Sequence, residues 1–322
     1  MIMSLLQVFE AYHASIRRVP SFIKLRRNKG FYTKNKFLDI IFAIPGVFKF
    51  LKSYFDKDKV KHFKNKVGIV AIVKNEASYI EEWINYYLSI GVDHFYIYDN
   101  NSTDNLVGIL EKYQSVVTYI PFPGMARQMD AYNDALNRYG IECAYLAFLD
   151  ADEFIYVKKH NNSLANFLDT FFTDSHQAAL VVNWQLFGSS DNITRPQGLV
   201  TDAYVYRAEE KFKTNLHVKT ILKPSKTAGF TWNPHAAIYL PRYYAVNENL
   251  ELCSGPFTKY VSVKKIQINH YFTKSKEEYI RKKNRGQATN FKKRPMNDFY
   301  KHDKNDVFDD CLRIYNRKSN LK

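Results

Sequence analysis

At 322 residues the chain is long enough for one large α/β domain with small appendages and a sizeable buried core. Its 16% aromatic and 25% charged content excludes a disordered or fibrous protein. The three widely spaced cysteines, Cys143, Cys253 and Cys311, exclude a disulfide framework and fit a reducing compartment.

The net charge of +15 is unevenly spread. Residues 1–66 carry 15 Lys/Arg against 4 Asp/Glu, whereas residues 67–322 carry 32 against 28. A basic arm with apolar neighbours fits anionic lipid headgroups at least as well as nucleic acid. No ordered secretory signal precedes it. Its most apolar stretch, Phe37–Leu51, is interrupted by Asp39, Pro45 and Lys49. That is short of the roughly 20 apolar residues of a spanning helix. The stretch either lies in the headgroup region or packs on the main domain as a helical hairpin.

From Val67 the pattern changes. Val67–Val73, continuously apolar and β-branched, predicts a strand buried on both faces. Lys74-Asn75-Glu76 stops it, and Tyr79–Ile90 shows helical spacing up to Gly91. His94–Tyr98 predicts a second strand, stopped by Asp99-Asn-Asn-Ser-Thr-Asp104. Leu106–Tyr113 reads as a short helix, Val116–Ile120 as a third strand, Ala126–Tyr139 as a helix and Ala144–Leu149 as a fourth strand. This alternation predicts βαβ crossovers and a parallel sheet, with the three polar stops gathered at the carboxyl edge where such sheets bind ligands. Further on, Ala179–Trp184, Val218–Leu222 and Val261–Ile268 predict strands, and Lys276–Gly286 a helix. The expected domains are a basic extension over 1–66, an α/β domain over 67–290 and a tail over 291–322.

Chemistry centres on Asp150-Ala151-Asp152-Glu153. A strand delivering carboxylates two residues apart points both the same way, an unfavourable pair unless a hard divalent cation bridges them. Such an ion would neutralise a departing nucleoside diphosphate; the bland alternative is a solvated turn. Asp104 suits a cap or turn, and Asp99 can accept hydrogen bonds from a base or ribose. A histidine at a strand end, such as His270, is by itself more often structural. Ten Lys/Arg against three Asp/Glu between Lys274 and Lys301 form either a diphosphate site or a solvated helix face.

The run IVAIVKNEASYIEEWINYYLSIGVDHFYIYDNNSTDN followed by YLAFLDADEFI resembles the nucleotide-diphospho-sugar transferases of GT-A fold, and among them the family 92-like branch, close to family 2. The resemblance spans about Val67 to Gly286. It implies a Rossmann-like, mostly parallel sheet flanked by helices. It also implies a nucleotide-sugar donor such as a UDP-sugar, with Asp99 on the base and Lys74, Asn75 and Glu76 lining the donor pocket. Arg127 and Gln128 are further donor-side candidates. Asp150 and Asp152 would flank Mn²⁺ or Mg²⁺, with His270 as a further ligand, and Lys276 and Arg285 would stand near the diphosphate. Inverting transfer needs a carboxylate base; Asp191 is the best placed in sequence order, with Glu209 and Glu210 as rivals. His217 and His235 are motif-like, with His235 able to reach the acceptor or the metal, and Trp184 is either core or a sugar platform.

Without a Q-x-x-R-W motif, long spanning helices or a signal anchor, the expectation is a cytoplasm-facing bacterial enzyme acting on a glycan or lipid-linked acceptor at the inner membrane face, and not a processive synthase. Two rival readings are a nucleotidyltransferase, disfavoured because Lys74-Asn75-Glu76 replaces a Gly-rich loop, and a nucleic-acid-binding protein, for which no module is recognisable.

Overall fold

The computed structural model describes residues 62–158, 162–230, 233–240, 242–285 and 294–321, with isolated positions between 44 and 51. Apart from those positions, the apolar stretch 37–51 and the basic segment around it lie outside the described residues.

Strands β1 (Asn65–Val73), β2 (His94–Asp99), β3 (Val117–Pro121) and β4 (Cys143–Phe148) are parallel and ordered β4-β1-β2-β3. Helices α1 (Ala77–Ser89), α2 (Leu106–Leu110) and α3 (Gln128–Tyr139) fall between them in sequence. The two-sided burial expected of β1 follows its pleat. Val67, Ile69, Ala71 and Val73 enter the core that holds Ile80, Trp83 and Tyr87 of α1. Val70 and Ile72 enter the opposite core, with Met129, Tyr132 and Ala135 of α3.

Beyond β4 the chain forms β5 (Glu153–Val157), α3's successor α4 (Leu164–Phe171), β6 (Gln177–Leu186), α5 (Val200–Ala203), β7 (Tyr206–Arg207) and β8 (Val218–Leu222). β8 lies antiparallel between β4 and β6. There follow β9 (Thr227–Phe230), β10 (Ala237–Tyr239), β11 (Tyr244–Val246), β12 (Leu252–Cys253) and β13 (Ile266–His270). β13 pairs parallel with β6 and antiparallel with β5. The mixed half therefore extends a parallel half, giving the α/β sheet that the alternation predicts.

One boundary differs from expectation. Val261–Ile268 is a strand only from Ile266, because the Glu248 carboxylate accepts from the backbone N–H groups of Lys264, Lys265 and Ile266 and from the Ser262 hydroxyl. The stretch before Ile266 is thereby held as a loop.

The last elements are α6 (Lys276–Arg285), α7 (Asn297–His302), β14 (Val307–Phe308) and α8 (Cys311–Ser319). They pack on the domain: β14 pairs with β7, and Asn316 of α8 donates to the Thr201 hydroxyl. No helix among the described residues is long and apolar enough to cross a membrane.

Candidate active site

The carboxyl ends of β1 and β2 are tied together. Asn75 holds a left-handed φ of 53°. It accepts from Thr103 N at 2.7 Å, while its own N–H donates to the Ser102 hydroxyl at 2.9 Å. Asp104 is a cap, but for a neighbouring element: its carboxylate accepts from Ala77 N at the start of α1. Asp99 is buried, and its two oxygens take Ser102 N at 2.9 Å and the Tyr119 hydroxyl at 2.8 Å. Glu76 is buried at the N-cap of α1, and Lys74 is half-buried just past β1.

Asp150 and Asp152 follow β4 in a tight turn closed by Glu153 N donating to Asp150 O at 3.1 Å. Each carboxylate has its own lysine. Asp150 lies 2.9 Å from Nζ of Lys219 on β8 and accepts from Gln128 of α3 at 3.1 Å. Lys219 is fully buried and also lies 3.3 Å from Glu153, whose carboxylate accepts from Asp150 N at 2.9 Å. Asp152, only 7% exposed, lies 2.5 Å from Nζ of Lys282 on α6 and 3.6 Å from Nε2 of His270.

The last contact is made by the sheet. β13 runs antiparallel to β5 with His270 opposite Glu153, and Tyr271 N donates to Asp152 O at 2.9 Å. Two residues 118 positions apart in sequence are thus fixed side by side.

The protonation states follow from these neighbours. Burial opposes ionisation of Asp152, but Lys282 and His270 outweigh it and hold the carboxyl well below its usual range. Asp150 is likewise held low by Lys219 against its burial. Burial pushes Glu153 up to about 8, only partly relieved by Lys219. The Lys219 ammonium is therefore matched chiefly to Asp150, with Glu153 protonated at neutral pH. Burial lowers Lys282 to about 8, and lowers His270 so that its ring is neutral.

This donor set fits a hard divalent ion in chemistry, with a carboxylate oxygen in the turn before β5 and a neutral imidazole nitrogen at the end of β13. His270 Nδ1 is buried without a hydrogen-bond partner. Asp152 and His270 stand together, whereas Asp150 is turned to Lys219 and Gln128. Among the described residues no three His, Cys, Asp or Glu side chains already form a cage.

The remaining candidates lie further out. Asp191 sits in the loop after β6, five residues past Leu186, the register partner of His270. It and Ser190 hold left-handed φ values of 61° and 49°. Its loop is pinned by Asp303 and Asn305, which accept from Ser189 N and Ser190 N. Glu209 and Glu210 are exposed, and the Glu210 carbonyl accepts from Asn215. Lys276 is exposed with Nζ 5.8 Å from the Tyr300 ring. Arg127 is bound locally to Asp130 and Pro123 O. The side chain of Arg285 lies outside the described residues. Trp184 is buried, stacked on His217 at 4.8 Å and packed 4.2 Å from His270, so it serves the wall of the site as core.

With Asp152 and His270 joined at the carboxyl edge of the sheet, the family can be stated. The sequence profile of Glycosyltransferase family 92 matches residues 69–303. The chain belongs to glycosyltransferase family 92. Two plant members illustrate the relationship. One from Ricinus communis is 28% identical over 183 residues, covering 53% of this chain and 32% of the relative. One from Oryza sativa subsp. japonica is 28% identical over 221 residues, covering 66% and 34%. The chain thus spans about a third of the length of the curated relatives it matches. Among solved structures, TarS 1–349 of S. aureus overlaps 50% of this chain and 47% of its own with a TM-score of 0.33 and 19% identity.

In this family 92 chain, the sequence pattern singles out Asp150, Asp152 and His270 as candidates but neither Lys219 nor Glu153. A signal for Lys219 existed: it interrupts the otherwise uncharged strand segment Val218–Leu222, and such a lysine is found buried only with partners. Glu153 offered none, since a carboxylate beside two others reads as more of the same acidic turn.

Proposed function

We propose that the chain transfers a sugar from a nucleotide-diphospho-sugar, a UDP-sugar in the first instance, to a glycan or lipid-linked acceptor, with metal assistance and inversion at the anomeric carbon. The observation that carries this reading is the antiparallel pairing of β13 with β5, which sets His270 against Asp152 at the edge where β1, β2 and β4 end. Asp152 and His270 would hold Mn²⁺ or Mg²⁺, which when bound supplies Lewis-acid neutralisation of the leaving diphosphate.

The chain's own residues do the rest. Lys219 and Gln128 fix the Asp150 carboxylate. Asp99 and the loop of Asn75 and Glu76 receive the nucleoside side of the donor. Asp191 takes the proton from the acceptor hydroxyl; in its favour are the strained backbone and the support from Asn305. Glu210 lacks such support, as only its carbonyl is engaged in a hydrogen bond among those seen. The basic N-terminal residues 1–66 would hold the enzyme on an anionic membrane face, with a surface-polymer intermediate as the acceptor.

The test is donor hydrolysis. UDP-, GDP- and dTDP-sugars are offered with Mn²⁺, with EDTA, and to Asp152→Asn. Release of one nucleoside diphosphate that EDTA and the substitution both abolish supports the proposal. Release that survives both removes Asp152 and the metal from it. Loss of both hydrolysis and metal-dependent UDP binding in the wild type overturns the transferase reading.

A further inference from the structure

Two lysines face the acidic turn, and they are held in different ways. Lys219 is fully buried on a central strand, between Asp150 and Glu153. Lys282 stands on α6 at the rim, where its Nζ touches Asp152 at 2.5 Å and Phe272 O at 2.9 Å and lies 4.3 Å from the centre of the Phe272 ring. Its side chain lines a cavity of about 230 Å³ with Asn75, Tyr79, Lys274 and Arg281. Lys282 therefore has somewhere to go, and Lys219 does not.

Each aspartate of the turn already has an ammonium against it: Lys219 lies 2.9 Å from Asp150 and Lys282 lies 2.5 Å from Asp152. A divalent cation arriving alone at Asp152 meets the like charge of Lys282, and a diphosphate that takes up that lysine relieves the repulsion. Lys282 sits on Oδ2 of Asp152 and His270 faces Oδ1 at 3.6 Å, so a cation placed between Asp152 and His270 arrives beside the lysine.

We propose that Lys282 is an exchangeable cation: it guards Asp152 in the free enzyme and moves to the donor diphosphate in the cavity when the metal arrives, which makes metal and nucleotide binding mutually dependent. This rests on the proposed donor and metal site and couples its two ligands. The cavity is suited to the move, since Lys274 and Arg281 line it; of the two carboxylates that also line it, Glu76 and Glu278, the second is taken up by three hydroxyl donors. The hinge of the exchange is the Lys282 side chain itself. The start of α6 is held fast by Glu278, which accepts from the hydroxyls of Tyr79, Tyr204 and Ser275.

The experiment is Mn²⁺ binding to the full chain at one pH, followed by the EPR signal of free Mn²⁺, with and without UDP. Wild type, Lys282→Met and Lys282→Arg are compared after their thermal melts are matched. Wild type should bind Mn²⁺ about 10-fold or more tightly with UDP than without, a coupling of ordinary allosteric size. Lys282→Met should bind Mn²⁺ alone about 10-fold more tightly than wild type and lose most of the UDP effect. Lys282→Arg, which keeps the charge, should bind Mn²⁺ alone as weakly as wild type. If Lys282→Met binds Mn²⁺ alone no better than wild type while UDP still promotes binding, the exchange is wrong and the donor site stands. If Mn²⁺ binds none of the proteins even with UDP, both readings fall.

Discussion

The buried ion pairs decide the behaviour of single residues. Lys219 is fully buried, whereas the Asp150 side chain is 35% exposed, so Lys219→Met leaves Asp150 without its ammonium but not without solvent. The expected loss is about 1–3 kcal/mol in urea denaturation, below the roughly 3–5 of a fully buried pair broken from one side. Adding Asp150→Asn should restore much of it. A loss below about 1 kcal/mol would mean that the pair counts for no more than a surface one.

His235 gives the pH dependence. Its Nδ1 lies 3.0 Å from Val218 O, and burial, reinforced by Lys219, lowers its pKa from 6.5 to about 3. The unfolded chain takes up this proton below pH 6.5, whereas the folded chain resists it. The stability is therefore present above 6.5 and is lost as the pH falls towards 3. Between about pH 7 and pH 5 the wild type should lose about 2 kcal/mol more than His235→Gln. Parallel stability curves for the two proteins would contradict the assignment.

Among the elements, those that sit between two helical layers were the legible ones. β1, β2 and β8 are short, apolar runs bounded by polar stops, and their limits agree with the pattern to within two residues. What could not be read was the pairing of distant segments. Nothing local to Ile266–His270 says that it lies beside β5, and nothing local to Asp104 says that it caps α1. Glu248 likewise shortened β13 from a distance of fourteen residues or more.

Two glycines test these contacts. A Cβ on Gly68 in β1 would lie 2.8 Å from Cys143 Sγ and 3.0 Å from Leu146 Cδ1. Gly68→Val should cost about 1–3 kcal/mol by overpacking, and Cys143→Ala should relieve part of it. A Cβ on Gly188 would lie 2.4 Å from Lys304 O, against backbone that cannot swing aside as a side chain does. Gly188→Ala should displace the segment that pins the Asp191 loop. Transfer should then fall at least about 10-fold, below the 10²–10⁴ expected for losing a general base outright, while UDP affinity stays within about twofold. A matching loss of UDP affinity would show that this loop serves the donor and not the acceptor.

At the scale of the whole molecule, charge and chemistry occupy different parts of the chain. Residues 67–322 carry little net charge and hold the acidic turn; residues 1–66 carry most of the excess. The full chain should co-sediment with vesicles containing anionic lipid and release as salt rises, because such attraction is screened within about 10 Å at 0.1 M ionic strength. Equal binding to neutral vesicles would point to apolar insertion instead. The separation also explains why composition alone misleads, since a basic protein rich in aromatics suggests nucleic acid until the charge is placed along the chain.

The site was legible as far as one strand end can carry it. Asp150, Asp152 and the loops after β1 and β2 follow from the rule that parallel sheets bind at their carboxyl edge. Lys219, Glu153 and the contact between Asp152 and His270 needed the mixed half of the sheet, whose order no pattern in the sequence announces.

The most direct test is to locate the metal. In crystals grown with Mn²⁺ and UDP, anomalous scattering marks the ion without reference to any expected position. The account predicts one strong peak bonded to Asp152 and to Nε2 of His270, with UDP phosphate oxygens completing its shell and Lys282 withdrawn from Asp152. UDP bound at the edge of β1 and β2 with no ion on Asp152, or an ion held away from His270, would contradict it.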